Sequence, residues 1–303
     1  MASNFLRGLL AKAFVLLFLC SKTFAQFTDD FSDGDFTANP AWGGSTSFFT
    51  ISNGMLRSNA GVSPVDIQYY LSTESSKAIG AQWEFFVNLK FATSGSNYAD
   101  VFLTSDSQDL TATANGYFLR IGDMQDDISL HKIVSGAPPL KIIDGANGVV
   151  NSTSDNPFLV KVTRGDNGLW SIEFDDGLTG TFQSGGSVVD LDITTSAYFG
   201  IRIRQSTATS PANNHFFDDF YVGDIILDTT PPEIQQVIPL STSQLSVLFN
   251  EKVNQATAET AANFQVNNSV GAALSAQLQA DQKTVHVVFA NNFPNAATSQ
   301  LTV

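Results

Sequence analysis

Cysteine is almost absent from this chain: Cys20 is the single one in 303 residues. Histidine is scarce too, with His131, His215 and His286 far apart. There is therefore no disulfide framework, and His131, His215 and His286 match no zinc-binding spacing. No Gly-x-Ser-x-Gly elbow and no phosphate-cradling glycine loop occurs, so nucleophilic hydrolysis and nucleotide chemistry find no support. Basic residues are outnumbered, 15 against 29 acidic, for a net charge of −14. That balance argues against binding nucleic acid or an anionic membrane surface. Long apolar runs are missing as well, and "AFVLLFLC" (13–20) is too short to span a bilayer.

That apolar run follows Arg7 and Lys12 and precedes "TFA" (23–25), whose small residues sit at the −3 and −1 positions of a cut after Ala25. Residues 1–25 read as a secretory signal peptide. Leu19 stands where a lipoprotein needs a small residue before its Cys. Removing the segment takes away Cys20 and three basic side chains, Arg7, Lys12 and Lys22. What remains has no thiol, is more acidic still, and has no membrane span. It suits a secreted or cell-surface protein.

From Phe27 to Leu227 the chain reads as strand after strand. "DIQYYLST", "AQWEFFVNLKF", "YADVFLTS", "GYFLRIG", "DISLHKI", "FLVKVTR", "LWSIEFD" and "AYFGIRIR" are short aromatic or β-branched runs, several of them alternating. "SGS", "DGANG", "DNG", "DDG" and "SGG" supply turns between them. Hairpin turns are expected at Asp166-Asn167-Gly168 and Asp175-Asp176-Gly177. Trp83 and Trp170 lie in apolar strands and belong to the core. The expected fold is all-β, a two-sheet antiparallel jelly-roll sandwich over 26–227. "LDTTPPEI" (227–234) marks a boundary, because two prolines stiffen the chain and cannot continue a central strand. Composition changes there: 21 of the 23 aspartates precede it. Residues 228–303 alternate again at the spacing of an Ig-like sandwich. Val303 falls inside a strand-like run, so this Ig-like sandwich is expected to be truncated and the gene product to continue.

On "DDFSDGDFTANPAW", "WEFFVNLKF", "NYADVFLTSD", "NGYFLRIG", "VKVTRGDNGLWSIEFDD" and "FFDDFYVGDI", the first region resembles concanavalin A-like lectin/glucanase (laminin-G-like) sandwiches. It is most similar to the N-terminal module of large secreted Bacteroidota proteins, some of which carry lamin-tail domains. On "DTTPPEI", "LSVLFNEKV", "ANFQV" and "KTVHVVF" the second resembles bacterial Ig-like domains of the S-layer type. Neither resemblance identifies a ligand; the expected function is that of a secreted, non-catalytic binding or adhesion module whose partner is an extracellular glycan or another surface component. The alternative is a set of targeting and spacer modules for a hydrolase domain beyond residue 303.

Candidate sites follow from chemistry. Laminarinase-type catalysis needs Glu-x-Asp and then a second Glu on one strand face. Glu173 and Asp175 are followed instead by Gly177, so no catalytic pair is expected. Arg164-Gly165-Asp166 reads as turn chemistry, not an adhesion tripeptide. His131 alternates with Leu130 and Ile133 and is expected to face outward. A sugar platform needs an exposed aromatic ring among Asn, Asp and Gly. Trp42, Tyr98 with Asn97 and Asp100, and Tyr117 are the candidates expected in loops. For a metal, "DDFSDGD" (29–35) fails as an EF-hand loop, since Gly34 in sixth place puts Pro40 in the twelfth. It recurs, however, as "DDFYVGD" (218–224). If the first and last strands of the sandwich lie side by side, their aspartates converge, and like charges held opposite one another are unfavourable. A structural calcium held by Asp30, Asp33, Asp218 and Asp219 is the expected remedy. The competing reading has each aspartate satisfying its own turn.

Overall fold

Alternation sends successive side chains to opposite faces of a strand, so each apolar face must find a partner. The computed structural model describes residues 26–295 and 298–303, and the expected signal segment 1–25 lies outside them. The chain divides into two compact units, after Ile226.

In chain order the first unit has β1 (Phe27–Asp29), β2 (Gly43–Gly44), β3 (Phe49–Ser52), β4 (Met55–Ser58) and β5 (Ile67–Glu74). It continues with β6 (Ala81–Leu89), β7 (Tyr98–Ser105), β8 (Gly116–Gly122), β9 (Asp127–Ile133) and β10 (Leu140–Ile143). It ends with β11 (Pro157–Arg164), β12 (Leu169–Asp176), β13 (Gln183–Val189), β14 (Tyr198–Gln205) and β15 (His215–Asp224). These strands make two antiparallel sheets. One is ordered β13-β12-β11-β6-β15-β4-β3, with β1 also paired to β15; the other is ordered β10-β9-β8-β7-β14-β5-β2. This is the expected jelly-roll sandwich.

Its core is one contiguous cluster drawn from both inner faces, including Phe85, Val160 and Phe217 from the first sheet and Tyr69, Leu119 and Ile201 from the second. Trp83 and Trp170 stack in it, 5.4 Å between ring centroids. Burying a single such ring is worth about 2–3 kcal/mol, so aromatic patterning dominates the driving force.

The closing strand carries the feature that shapes the site. One edge of β15 pairs with β6, and the other is shared. Phe216 and Phe217 pair with β4, whereas Phe220, Tyr221 and Val222 pair with β1. Between those stretches the β6 register shifts from Asp218 to Tyr221. Asp219 takes a left-handed φ of 50° there, a conformation that Asp tolerates. The resulting bulge turns Asp218 and Asp219 toward the N-terminal segment. The two "DDF" segments meet, as their echo implies: Asp29 is the register partner of Phe220.

Two turns differ in detail. Gly165–Gly168 closes the β11–β12 hairpin, with Gly168 at φ +78°. Arg164, just before it, is fully buried and donates to the carbonyls of Ala78, Ile193 and Asp190, each at 2.8 Å. The arginine of the tripeptide is therefore not presented to solvent, although Asp166 is exposed. The expected turn at Asp175-Asp176-Gly177 moves downstream: both aspartates remain in β12, and residues 177–182 make the connection. They fold around the Asp175 carboxylate, which accepts from the Thr179 and Gly180 N–H groups.

The second unit comprises β16 (Ile234–Pro239), β17 (Gln244–Phe249), β18 (Gln265–Val266), β19 (Gly271–Leu278), β20 (Thr284–Phe289) and β21 (Leu301–Thr302), ordered β16-β17-β20-β19-β18-β21. Leu245, Val247, Phe249, Val285, Val287 and Phe289 form its core with Phe264 and Val266. A short helix, Gln255–Ala258, is capped by the Asn254 side chain. Among the described residues no helix is long and apolar enough to cross a membrane.

Arg164 gives the fold's sharpest test. Arg164→Met keeps the bulk but leaves three buried carbonyls without a donor, at about 1–3 kcal/mol each. Urea unfolding should show a loss of at least about 3 kcal/mol, whereas a loss under 1 kcal/mol would mean that those carbonyls find water.

Candidate functional site

Two clefts lie back to back on the N-terminal segment of the first unit. The acidic one, of about 360 Å³, is lined by Thr28, Asp29, Asp30, Ser32, Asp33, Asn39, Asp219, Phe220 and Tyr221. The carboxylates do gather there, but Asp29, Asp30 and Asp33 each have local work. Asp30 accepts from the Ser32 N–H at 3.1 Å and hydroxyl at 2.7 Å. Asp33 accepts from the Asp35 N–H at 2.9 Å, and Asp35 from the Thr37 N–H at 2.8 Å. Asp29 accepts from the Phe31 N–H and, at 2.7 Å, from the Trp42 indole N–H. These are side chains satisfying neighbouring backbone in turns. Among the described residues no group of three or more Asp, Glu, His or Cys side chains is arranged to hold a metal ion. As they stand, Asp30, Asp33, Asp218 and Asp219 do not make a coordination shell among the described residues, although the turn bonds of Asp30 and Asp33 use only Oδ1 of each.

The crowding still has an electrostatic cost. Partial burial, with Asp219, Asp30 and Asp29 nearby, pushes Asp218 up to about 6 from 3.8, although it accepts from the Asp219 N–H. Burial likewise raises Asp29, with Asp33 and Asp30 adding to the shift against the hydrogen bonds from Trp42 and Phe31.

The second cleft, of about 420 Å³, is lined by Gln26, Phe27, Pro40, Ala41, Trp42, Gly43, Ser72, Thr73, Glu74, Gln108 and Tyr198. Its frame is the last rung of the β5–β14 ladder, where Tyr198 pairs with Glu74. Directly opposed residues point to the same face, so a half-exposed aromatic ring stands beside an exposed carboxylate. Gln108 comes from the loop after β7, which is fixed by Ser72 Oγ donating to the Gln108 carbonyl at 2.8 Å and by Leu110 buried against Phe102 and Phe118. Gly43 makes room for it: a Cβ there would sit 2.8 Å from Gln108 Nε2. Gly44, at φ +122°, could carry no side chain, since a Cβ would come within 2.6 Å of the Tyr70 ring and 2.7 Å of the Tyr70 carbonyl oxygen. Among the described residues neither the Glu74 carboxylate nor the Gln108 side-chain amide has a hydrogen-bond or ion-pair partner. The cleft thus combines an aromatic wall, a carboxylate acceptor and an amide that can donate and accept.

Of the aromatics expected as sugar platforms, Trp42 lines this cleft, whereas Tyr98 and Tyr117 do not. Trp42 is 3 % exposed, packed in a cluster with Phe27, Phe31, Phe199 and Phe220, and reaches the cleft only as part of its lining. Tyr98 opens β7 and is covered by the Arg120 guanidinium, 4.0 Å from its centroid. Tyr117 is fully buried in β8 and bonds Asp190. Asn97 is tied to Ser94 and to the Ser206 N–H. Asp100 is fully buried: desolvation opposes its ionisation, but Arg120 and Arg202 outweigh that and hold it below the usual carboxylate range. Strand positions and buried partners, not loop exposure, account for all five residues. His131 does face away from the sandwich core but is buried, stacked 5.1 Å from Phe118, and desolvation with Arg120 nearby pushes it down to about 4. Glu74, Gln108 and Tyr198 were not singled out in the sequence. The available signal was Gly43-Gly44 beside Trp42, which marks a close backbone approach.

No protein-family model and no curated protein matches the chain. Among solved structures, it is similar to carbohydrate-binding module CBM66 from Bacillus subtilis, at 12% identity over 60% of this chain and 92% of that one, with a TM-score of 0.41. It is similar to the VIP36 exoplasmic/lumenal domain in its Ca²⁺/Man2-bound form, at 13% identity over 69% and 91%, TM-score 0.45. A third is the Emp47p carbohydrate recognition domain, at 12% identity over 67% and 96%, TM-score 0.46. At these identities and scores the likeness says nothing of ligand or metal.

The acidic cleft makes a pH-dependent prediction. A carboxyl whose pKa is raised on folding favours the fold when protonated, so stability falls as pH rises from about 4 to 6 and stays lowered above that. Asp218→Asn removes the charge and keeps the acceptor. After discounting for solvent screening the gain is about 1 kcal/mol, or about 2–4 °C in Tm at pH 7.5, and none at pH 4. Thermal melts in metal-free buffer at both pH values check this; equal shifts at both would contradict it.

Proposed function

We propose that the first unit is a non-catalytic glycan-binding module of a secreted or surface protein, with its sugar in the cleft at the Tyr198–Glu74 rung. The supporting observation is that this cleft joins a partly exposed tyrosine to a carboxylate and a side-chain amide that have no partner among the described residues. A pyranose offers an apolar face for the ring and hydroxyls for the carboxylate and amide. Hydrolysis needs two carboxyl groups flanking the bond. Glu74 is the one carboxylate lining this cleft. Glu173 faces Lys161 at 3.7 Å, and Asp175 is held by its turn, so they form no second acid pair. In this reading the second unit is a spacer.

The test is a polysaccharide-binding panel on the purified protein and its Tyr198→Ala variant. Tyr198 is partly exposed, so the variant should melt within a few degrees of the parent and bind at least about tenfold more weakly. Unchanged binding by Tyr198→Ala would move the site elsewhere.

Structural calcium in the acidic cleft is a separate proposal, supported by the charge that Asp218 leaves unopposed. If a cation sits there, 1 mM calcium raises the Tm of the parent relative to EGTA, and the Asp218→Asn and Asp219→Asn variants lose that rise. An identical Tm in calcium and EGTA removes the proposal.

A further inference from the structure

The charges around the cleft restrict its ligand further than the word glycan does. Glu74 is exposed, and among the described residues it carries the one formal charge lining the cleft. Among those residues no Lys, Arg or His lines it. The arginines on the same outer face of the sheet are already neutralised. Arg120 binds Asp100 at 2.8 Å and Asp123 at 3.0 Å, Arg202 binds Asp100 at 2.7 Å, and Arg204 binds Asp66 at 3.1 Å, so three carboxylates meet three guanidinium groups. Arg202 also donates to the Leu110 carbonyl beneath the loop that carries Gln108. Immediately behind the cleft, across Trp42 and β1, lies the acidic cleft with Asp29, Asp30, Asp33 and Asp219. The net charge of the chain has the same sign, −14.

An approaching polyanion therefore meets a negative field at long range and an unpaired carboxylate at contact. A uronate, sialate or sulfate in the cleft would place its charge beside Glu74 with no cation to offset either. A hydroxyl has the opposite relation to Glu74, since it donates a hydrogen bond to an ionised acceptor. An ammonium would be attracted, but one exposed carboxylate gives a solvated ion pair little strength.

We propose that the ligand is an uncharged, hydroxyl-rich glycan, and that Glu74 is the residue that rejects acidic sugars. This rests on the reading that the cleft binds glycan, and the experiment separates the two. The probes are a soluble β-glucan, a mannan and a linear xylan as neutral chains, polygalacturonate and heparin as acidic ones, and chitosan as a basic one. They are tested on the parent, Tyr198→Ala and Glu74→Gln proteins at 50 and 500 mM NaCl. The parent should bind at least one neutral chain, with an affinity changing less than threefold between the two salts, and bind neither acidic chain. Glu74→Gln should weaken the neutral ligand by about tenfold, through loss of an ionised acceptor, and narrow the neutral-to-acidic preference. Because Glu74 is exposed, its variant should melt like the parent. Binding of polygalacturonate or heparin that Tyr198→Ala abolishes would overturn the proposal while leaving the cleft as a glycan site. Binding of chitosan alone, lost at 500 mM NaCl, would overturn it in the same way. No binding to any chain would overturn the glycan reading itself.

Discussion

The hydrogen bond from the Trp42 indole N–H to the Asp29 carboxylate is the contact on which both clefts depend. An indole buried this deeply loses water, and its N–H needs an acceptor. Trp83 and Trp170 leave theirs without one in the core, whereas Trp42 is given a carboxylate. That choice ties the segment after the first strand to the strand itself, and through the strand to β15. Phe31 and Phe220, the shared aromatic of the two echoing segments, close on Trp42 from either side of that pairing. On one side of the contact the carboxylates gather; on the other, Gly43 and Gly44 pass close enough to β5 to open the cleft beside Glu74 and Tyr198.

The acidic character of the chain has two distinct physical uses. Most of the N-terminal aspartates are turn residues whose oxygens replace backbone acceptors for their neighbours' N–H groups. This explains how Asp30, Asp33 and Asp35 fit within six residues: each faces its own turn. At the β15 bulge Asp218 is different, because partial burial and the nearby Asp219, Asp30 and Asp29 carboxylates act on it together. The remaining carboxylates act as a field. Asp100 and Asp123 take up two arginines of the outer sheet face, and among the described residues Glu74 is left as an unpaired acceptor at the cleft.

Much of the fold was legible in the sequence. Period-two alternation and turn residues identify strands without knowledge of their partners, and the repeated Asp-Asp-Phe-x-x-Gly-Asp announced that β1 and β15 meet. The platform residues were not legible, for a definite reason. An Asn or Gly beside an aromatic ring signals a turn but does not say on which side of the sheet the ring falls. Trp42 follows a loop and still turns inward, because Asp29, thirteen residues earlier, receives its N–H. Tyr98 and Asp100 looked like loop chemistry until Arg120 and Arg202 arrived from other strands to cover and neutralise them. Tyr198 and Glu74 each read as an ordinary strand end, and only the β5–β14 register makes them neighbours.

The central claim is that this rung, and not the acidic cleft or the second unit, receives the ligand. Chemical-shift mapping of the isotopically labelled protein, titrated with a neutral oligosaccharide, tests it most directly. The account predicts saturable shifts concentrated at Gly43, Glu74, Gln108 and Tyr198, with Asp219 and the residues of β17 and β20 unmoved. Shifts centred on the acidic cleft or on the second unit, or none at millimolar ligand, would contradict it.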